Sequence, residues 1–226
     1  MTSLAEILLA LFLLSNLALA GTGRLRQTIR LVAAQGWLVG LLPLMLWDWP
    51  AAGAPGPRVW SVAAVNAAIK GLALPLLLRY AADKAKVTFE LEPLVGFRLS
   101  QIIAFSLTVA SFALARALHV HESIASELAI PVAFATMGTG LFLICARRKA
   151  ITQVLGFLTF ENGIAVFGSG ILLEYALIVE LGILLDVFVL VFVLGIAIFQ
   201  IKRTFASIDT DKLNELGDVH LMKRHE

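Results

Sequence analysis

Two long apolar stretches toward the C-terminal end carry acids at the depth where a membrane-spanning helix would be driest. Ala150 to Leu173 holds Glu161 and Asn162 at its middle, and Tyr175 to Ile201 holds Glu180 near its start and Asp186 nearer its middle. Placing a charge at the centre of a bilayer costs on the order of 3 kcal/mol by insertion scales. Ionisable groups at such depth usually mark proton or ion paths, so the two stretches read as a functional pair of helices. The plainer alternative is a protonated carboxyl on each helix that only bonds a neighbouring helix.

The class of protein follows from composition. Of 226 residues, 59% are hydrophobic and 15% charged, with mean hydropathy +0.89. Soluble domains run at about 45–50% apolar and about 25% charged. The expected fold is therefore all-α and polytopic, with about seven transmembrane helices. A net charge of +2 gives no reason to expect a nucleic-acid partner, and the basic groups are expected to face lipid headgroups and set orientation. The single cysteine, Cys145, leaves no internal disulfide and no cysteine-ligated iron–sulfur or nickel centre within the chain. His119 and His121 form an H-x-H without further ligands, so no metal site is expected. No dinucleotide fingerprint, P-loop or nucleophile elbow is present, and neither a catalytic residue nor a cofactor is assigned.

In chain order, Leu4 to Ala20 reads as a retained first helix, since it lacks a basic leader and further apolar segments follow. A basic link with Arg24, Arg26 and Arg30 leads to a second helix, Leu31 to Trp47, where Pro43 predicts a kink. Asp48 to Arg58 is rich in Pro, Gly and Ala and reads as a loop, and Trp47, Trp49 and Trp60 place it at a membrane face. The third helix, Val59 to Leu78, carries Lys70 near its centre, about 15 Å from either end and too deep to snorkel comfortably. Asn66 lies one turn before it, and Ala63, Ala67 and Ala73 form a small-residue stripe suited to close helix approach. Pro75 removes the donor for the Gly71 carbonyl, which predicts a bend one turn from the lysine. A charged link from Arg79 to Arg98 reads as a solvated loop. The fourth helix spans Leu99 to Leu118 and the fifth Leu128 to Ala146, with Pro131 in its first turn.

In the sixth helix Gly156, Gly163 and Gly170 recur every seven residues and predict a packing seam. Glu161 lies about 200° around the helix from Gly163 and should point away from that seam. Glu180 and Asp186, about 240° apart on the seventh helix, should face different neighbours. The polar tail begins at Thr204. Odd-numbered loops and the C-terminus hold 15 of the 18 Lys and Arg residues, the exceptions being Arg58, Lys70 and Arg116. The expected orientation is N-terminus outside and C-terminus in the cytoplasm of a cell whose inner (plasma) membrane the chain crosses.

The last three helices resemble the K-type small membrane subunit of respiratory complex I, itself similar to a subunit of multisubunit cation/proton antiporters. The resemblance lies in Arg147-Arg148-Lys149 opening a helix with Gly156, the Glu161-Asn162 pair, an acid in the next helix, and Ile208-Asp209 in the tail. With four helices in front, the whole chain resembles the hydrogenase-4 component E family, most specifically from Val179 to Leu216. The resemblance implies a four-helix region over 1–127, a three-helix region over 128–203 and a cytoplasmic tail over 204–226.

It further implies a non-catalytic membrane subunit of a complex I-like hydrogenase. Its partners would be antiporter-like membrane subunits and soluble hydrogenase and iron–sulfur subunits. In that family intramembrane acids on successive helices are thought to pass protons. Glu161 falls one turn later than the first family acid, and either Asp186 or Glu180 corresponds to the second. The expected ion path is thus Glu161, Asp186, Glu180 and Lys70, with Asn162 and Asn66 as polar support. A structural anchor without conduction, or a subunit of an antiporter-like complex, stands as the alternative. A free-standing transporter is disfavoured, because the two halves show no repeated pair of broken helices.

Overall fold

A computed structural model of the chain describes residues 2–47, 53–84, 94–118, 126–171 and Gly195. The loop with His119 and His121, the expected seventh helix with Glu180 and Asp186, and the tail lie outside the described residues. Among those described, the fold is all-helical and six helices are long and apolar enough to cross a membrane. A helix suits such a solvent because it satisfies its backbone donors and acceptors internally.

The helices are α1 (Thr2–Gly21) and α2 (Leu25–Met45), then α3, a continuous helix over 57–84 in three parts: Pro57–Asn66, a π-helical turn Ala67–Ala73, and Leu74–Lys84. They are followed by α4 (Phe97–Ala117), α5 (Ala129–Ala146) and α6 (Ala150–Ile171). Proline opens α3 at its first position and sits in the first turn of α5, where the missing N–H would have had no intrahelical partner. Between α2 and α3, Gly53 adopts φ +68° and its carbonyl accepts a hydrogen bond from the Trp47 indole at 2.9 Å.

Two boundaries differ from the sequence expectation. Helix α2 begins at Leu25, so Arg26 and Arg30 stand one turn apart on its first face instead of lying in a link. The glycines at 21 and 23 are the last breakers before it, and no residue from Leu25 to Gln35 breaks a helix; Pro43 falls in the final turn. Helix α3 likewise runs on through Arg-Tyr-Ala-Ala-Asp to Lys84, a run of mostly good helix formers.

The turns α1–α2 and α5–α6 and the start of α4 meet at one end of the bundle, and Arg147 ties them together. Its Nη2 donates to the Ala20 carbonyl at 3.1 Å, and its guanidinium lies 5.1 Å from the Phe97 ring centroid. Leu94 N–H bonds the Ala146 carbonyl at 2.9 Å in the same region. Arg147 is buried, against the expectation that it faces headgroups. It turns inward because the C-terminus of α1 offers a carbonyl and the negative end of a helix dipole. Desolvation lowers its pKa from the usual guanidinium value.

Two apolar clusters fill the bundle. Near the Arg147 end, Leu19, Leu25, Ile29, Val32, Leu78, Leu155 and Leu158 pack together. Toward the other end, Leu9, Phe12, Val39, Leu42, Val132 and Val166 do so. Helix α6 packs along α5 through its glycines, as the seven-residue period predicts. A methyl at Gly156 would stand 2.8 Å from Ile144 N, and one at Gly163 would stand 2.6 Å from Met137 N.

A buried polar layer as the candidate functional site

Between the two clusters, every helix that contributes to both also contributes polar residues. On α1, Asn16 lies between Phe12 and Leu19; on α2, Gln35 lies between Val32 and Val39; on α6, Glu161 and Asn162 lie between Leu158 and Val166. All four are buried.

The ionisable pair in this layer depends on an irregular turn. Pro75 has no N–H to give the Gly71 carbonyl, and the helix before it relaxes into π geometry over Ala67–Ala73. The Leu74 N–H accordingly reaches back to the Ile69 carbonyl, five residues earlier. Turns of this kind occur often at functional sites, because the wider turn redirects side chains. Here Lys70 faces inward with 6% of its side chain exposed. The same widening rotates Ala73 outward, so it leaves the expected small-residue stripe, while Ala63 stays buried.

Lys70 Nζ lies 3.5 Å from Glu161 Oε1, and the Glu161 side chain is 2% exposed. Glu161 thus points away from the glycine seam on α5. The two residues, 91 positions apart in sequence, reach toward each other from α3 and α6, both of which pack on α2. The separation exceeds the ~2.7–2.9 Å of a tight charge-assisted hydrogen bond, so the contact is an ion pair. Asn162 is buried beside it in sequence, and Asn66, one turn earlier on α3, is only half-buried.

Helix α2 makes this approach possible. A methyl on Gly36 would meet the Lys70 carbonyl group and stand 2.6 Å from the Gly71 nitrogen; one on Gly40 would stand 2.7 Å from the Ala67 Cβ. Gly36-x3-Gly40 is a small-xxx-small motif within an apolar run, a signal the sequence reading passed over.

Next to Gly36, Gln35 Nε2 donates to Ser15 Oγ and to Asn16 Oδ1, each at 2.8 Å, and Asn16 Nδ2 donates to Thr136 Oγ1 at 2.9 Å. This chain joins α1, α2 and α5. Gln35 Oε1 is buried without a hydrogen-bond partner among the described residues. These amides were also visible in sequence, as lone polar residues inside apolar runs, but without an ionisable group they drew no attention.

No family model matches the chain, and no solved structure matches it. It is 35% identical over 197 residues to the uncharacterised protein Rv0085 of Mycobacterium tuberculosis, an alignment covering 86% of this chain and 87% of that protein. The chain belongs to the family of Rv0085. It is also 24% identical over 158 residues to hydrogenase-4 component E of Escherichia coli K12, covering 70% of this chain and 72% of that protein. The Shigella flexneri protein of the same name aligns with the same identity and coverage. The polytopic membrane character and a distant likeness to a hydrogenase-4 component therefore stand together in one chain.

Proposed function

We propose that the chain is a non-catalytic membrane subunit of a hydrogenase-4-type, complex I-like assembly, and that the Lys70–Glu161 pair is part of its proton or ion path. The observation that carries the reading is an ionisable pair, buried on both sides, at a π-turn near the middle of two helices long and apolar enough to cross a membrane. The similarity to hydrogenase-4 component E supports the kind of complex. In this reading the chain lies in the inner membrane with its C-terminus in the cytoplasm. Its partners are antiporter-like membrane subunits and soluble hydrogenase and iron–sulfur subunits, which perform the redox chemistry.

The pair has two forms of equal net charge, ammonium with carboxylate and amine with carboxyl, related by moving one proton from Nζ to Oε1. Burial disfavours charged forms in general, and a nearby opposite charge favours them. A charge arriving at a neighbouring site would shift that balance. Asp186 or Glu180 on the following helix is the next acceptor in this reading, and Asn162 and Asn66 offer hydrogen bonds along the way.

The test replaces Glu161 by Gln, Lys70 by Met and Asp186 by Asn in the complete complex. Assembly, redox turnover and coupled proton uptake are then measured in inside-out membrane vesicles. The expected result, per assembled complex, is normal turnover with markedly reduced proton uptake for each variant. Unchanged uptake in all three would leave the chain a structural anchor.

A further inference from the structure

On the exposed side of the same π-turn, α2 and α3 enclose a groove of about 180 Å³. Two stripes form its walls. Arg26, Arg30 and Ala33 descend along α2, and Arg79, Leu76 and Leu72 descend along α3. Each stripe spans eight residues, seven steps or about 10 Å of helix. The guanidiniums are therefore gathered at the end of the bundle where the Arg147 turn lies, and the apolar walls run from there toward mid-membrane. The floor is Ile29, Pro75 and Gly71, and the Trp37 indole packs 3.0 Å from where a Gly71 methyl would be.

Among the described residues the charges in this groove are only partly balanced. Arg26 pairs with Asp83 at 3.7 Å, but Arg30 and Arg79 make no ion pair among the described residues. Leu72 and Leu76 are 52% and 55% exposed. Arginines that only snorkel need no concavity and no partner helix. Here two guanidiniums from different helices, with no ion pair among the described residues, and a third shared with Asp83, stand at the mouth of one apolar slot.

We propose that this groove binds an anionic phospholipid of the surrounding leaflet. Arg30 and Arg79 hold the phosphodiester, and one acyl chain lies between Ala33 and Leu72–Leu76. Guanidinium forks match phosphate oxygens in a bidentate way, and basic pockets between transmembrane helices are a recurring seat for anionic headgroups. The acyl chain would touch Gly71, the residue after Lys70.

The test uses the full chain in nanodiscs of phosphatidylcholine with a minor fraction of phosphatidylglycerol, followed by native mass spectrometry of retained lipid. The wild type should retain phosphatidylglycerol selectively. Removing both charges with Arg30→Gln and Arg79→Gln should lower that retention roughly 30-fold, at about tenfold or less per guanidinium. Removing two exposed arginines elsewhere at the same end, with Arg98→Gln and Arg148→Gln, should leave retention unchanged. Leu76→Trp fills the slot while keeping every charge, and it too should abolish retention; it decides the matter if the arginine variant does not fold. Equal retention of phosphatidylcholine, equal loss in the control pair, or full retention in Leu76→Trp would each overturn the proposal.

Discussion

Lys70 and Glu161 form an ion pair at 3.5 Å with both side chains almost completely buried. Neither charge has bulk water to fall back on, so the pair contributes to holding both in place. Removing one member of a buried pair typically costs about 3–5 kcal/mol, whereas replacing both by apolar groups of similar volume is often neutral or favourable. Lys70→Met and Glu161→Leu should each destabilise the bundle by roughly that amount. The double variant should be less destabilised than either single one. Denaturant titration of the purified chain in mild detergent measures all three, and additive single effects would show that the two residues do not depend on each other.

The pairing changes an expectation drawn from the sequence. From sequence, Glu161 goes with an acid on the next helix, and Lys70 rests only on its depth and on Pro75. With Lys70 as the direct partner of Glu161, the two substitutions should have comparable effects on stability. Pro75 was a true signal, because the loss of one backbone donor is a local event that sequence displays. The contact with Glu161 was not legible, because it depends on how α3 and α6 are rotated about α2. That rotation is set by Gly36 and Gly40, small residues that look unremarkable beside charges. The orientation of Glu161 relative to Gly156 and Gly163 was legible, since both lie on one helix of fixed periodicity. The burial of Arg147 is not legible for the opposite reason: a basic trio marks a headgroup-facing turn in sequence, and the Ala20 carbonyl that draws Arg147 inward lies 127 positions away.

Gly36 should be the least replaceable glycine of α2. A methyl there meets backbone atoms of Lys70 and Gly71, which cannot rotate away, whereas at Gly40 it meets the Ala67 side chain and adjoining backbone at 2.7 Å and beyond. Overpacking of this kind costs about 1–3 kcal/mol. Gly36→Ala is expected to lie at the upper end of that range, and Gly36→Leu to separate α2 from α3 altogether. Cross-linking yield between cysteines placed on the two helices should fall in step with stability. A Gly36→Leu protein with wild-type stability would contradict the close approach.

Arg147 holds three segments at one end of the bundle through the Ala20 carbonyl and the Phe97 ring. Arg147→Met keeps the volume but strands a buried carbonyl, which costs about 1–3 kcal/mol. Arg147→Lys restores a charge without the planar fork and should recover only part of the loss. Melting temperatures of the three proteins in one detergent give the ranking, wild type above Lys above Met. A Met variant as stable as the wild type would remove the tie from the account.

The gathering of turns also bears on topology. Arg24, Arg26, Arg98, Arg148 and Lys149 belong to the end where α1 meets α2, α4 begins and α5 meets α6, while the loop at Gly53 opens on the opposite end, with Arg58 as its nearest basic residue. A bias of this size in short loops fixes which end stays in the cytoplasm. Alkaline phosphatase inserted near Gly53 should therefore be active outside, and a fluorescent protein inserted after Lys149 should fluoresce inside. A reporter after Glu226 adds the decisive reading, because six spans alone would leave the tail on the Gly53 side. A cytoplasmic tail requires a further crossing between Ile171 and Glu226, in the stretch that carries Glu180 and Asp186. If that reporter is cytoplasmic, those acids lie within the membrane and can serve the same path as Glu161. If it is external, they have no such depth, and Lys70 and Glu161 are left to act without them.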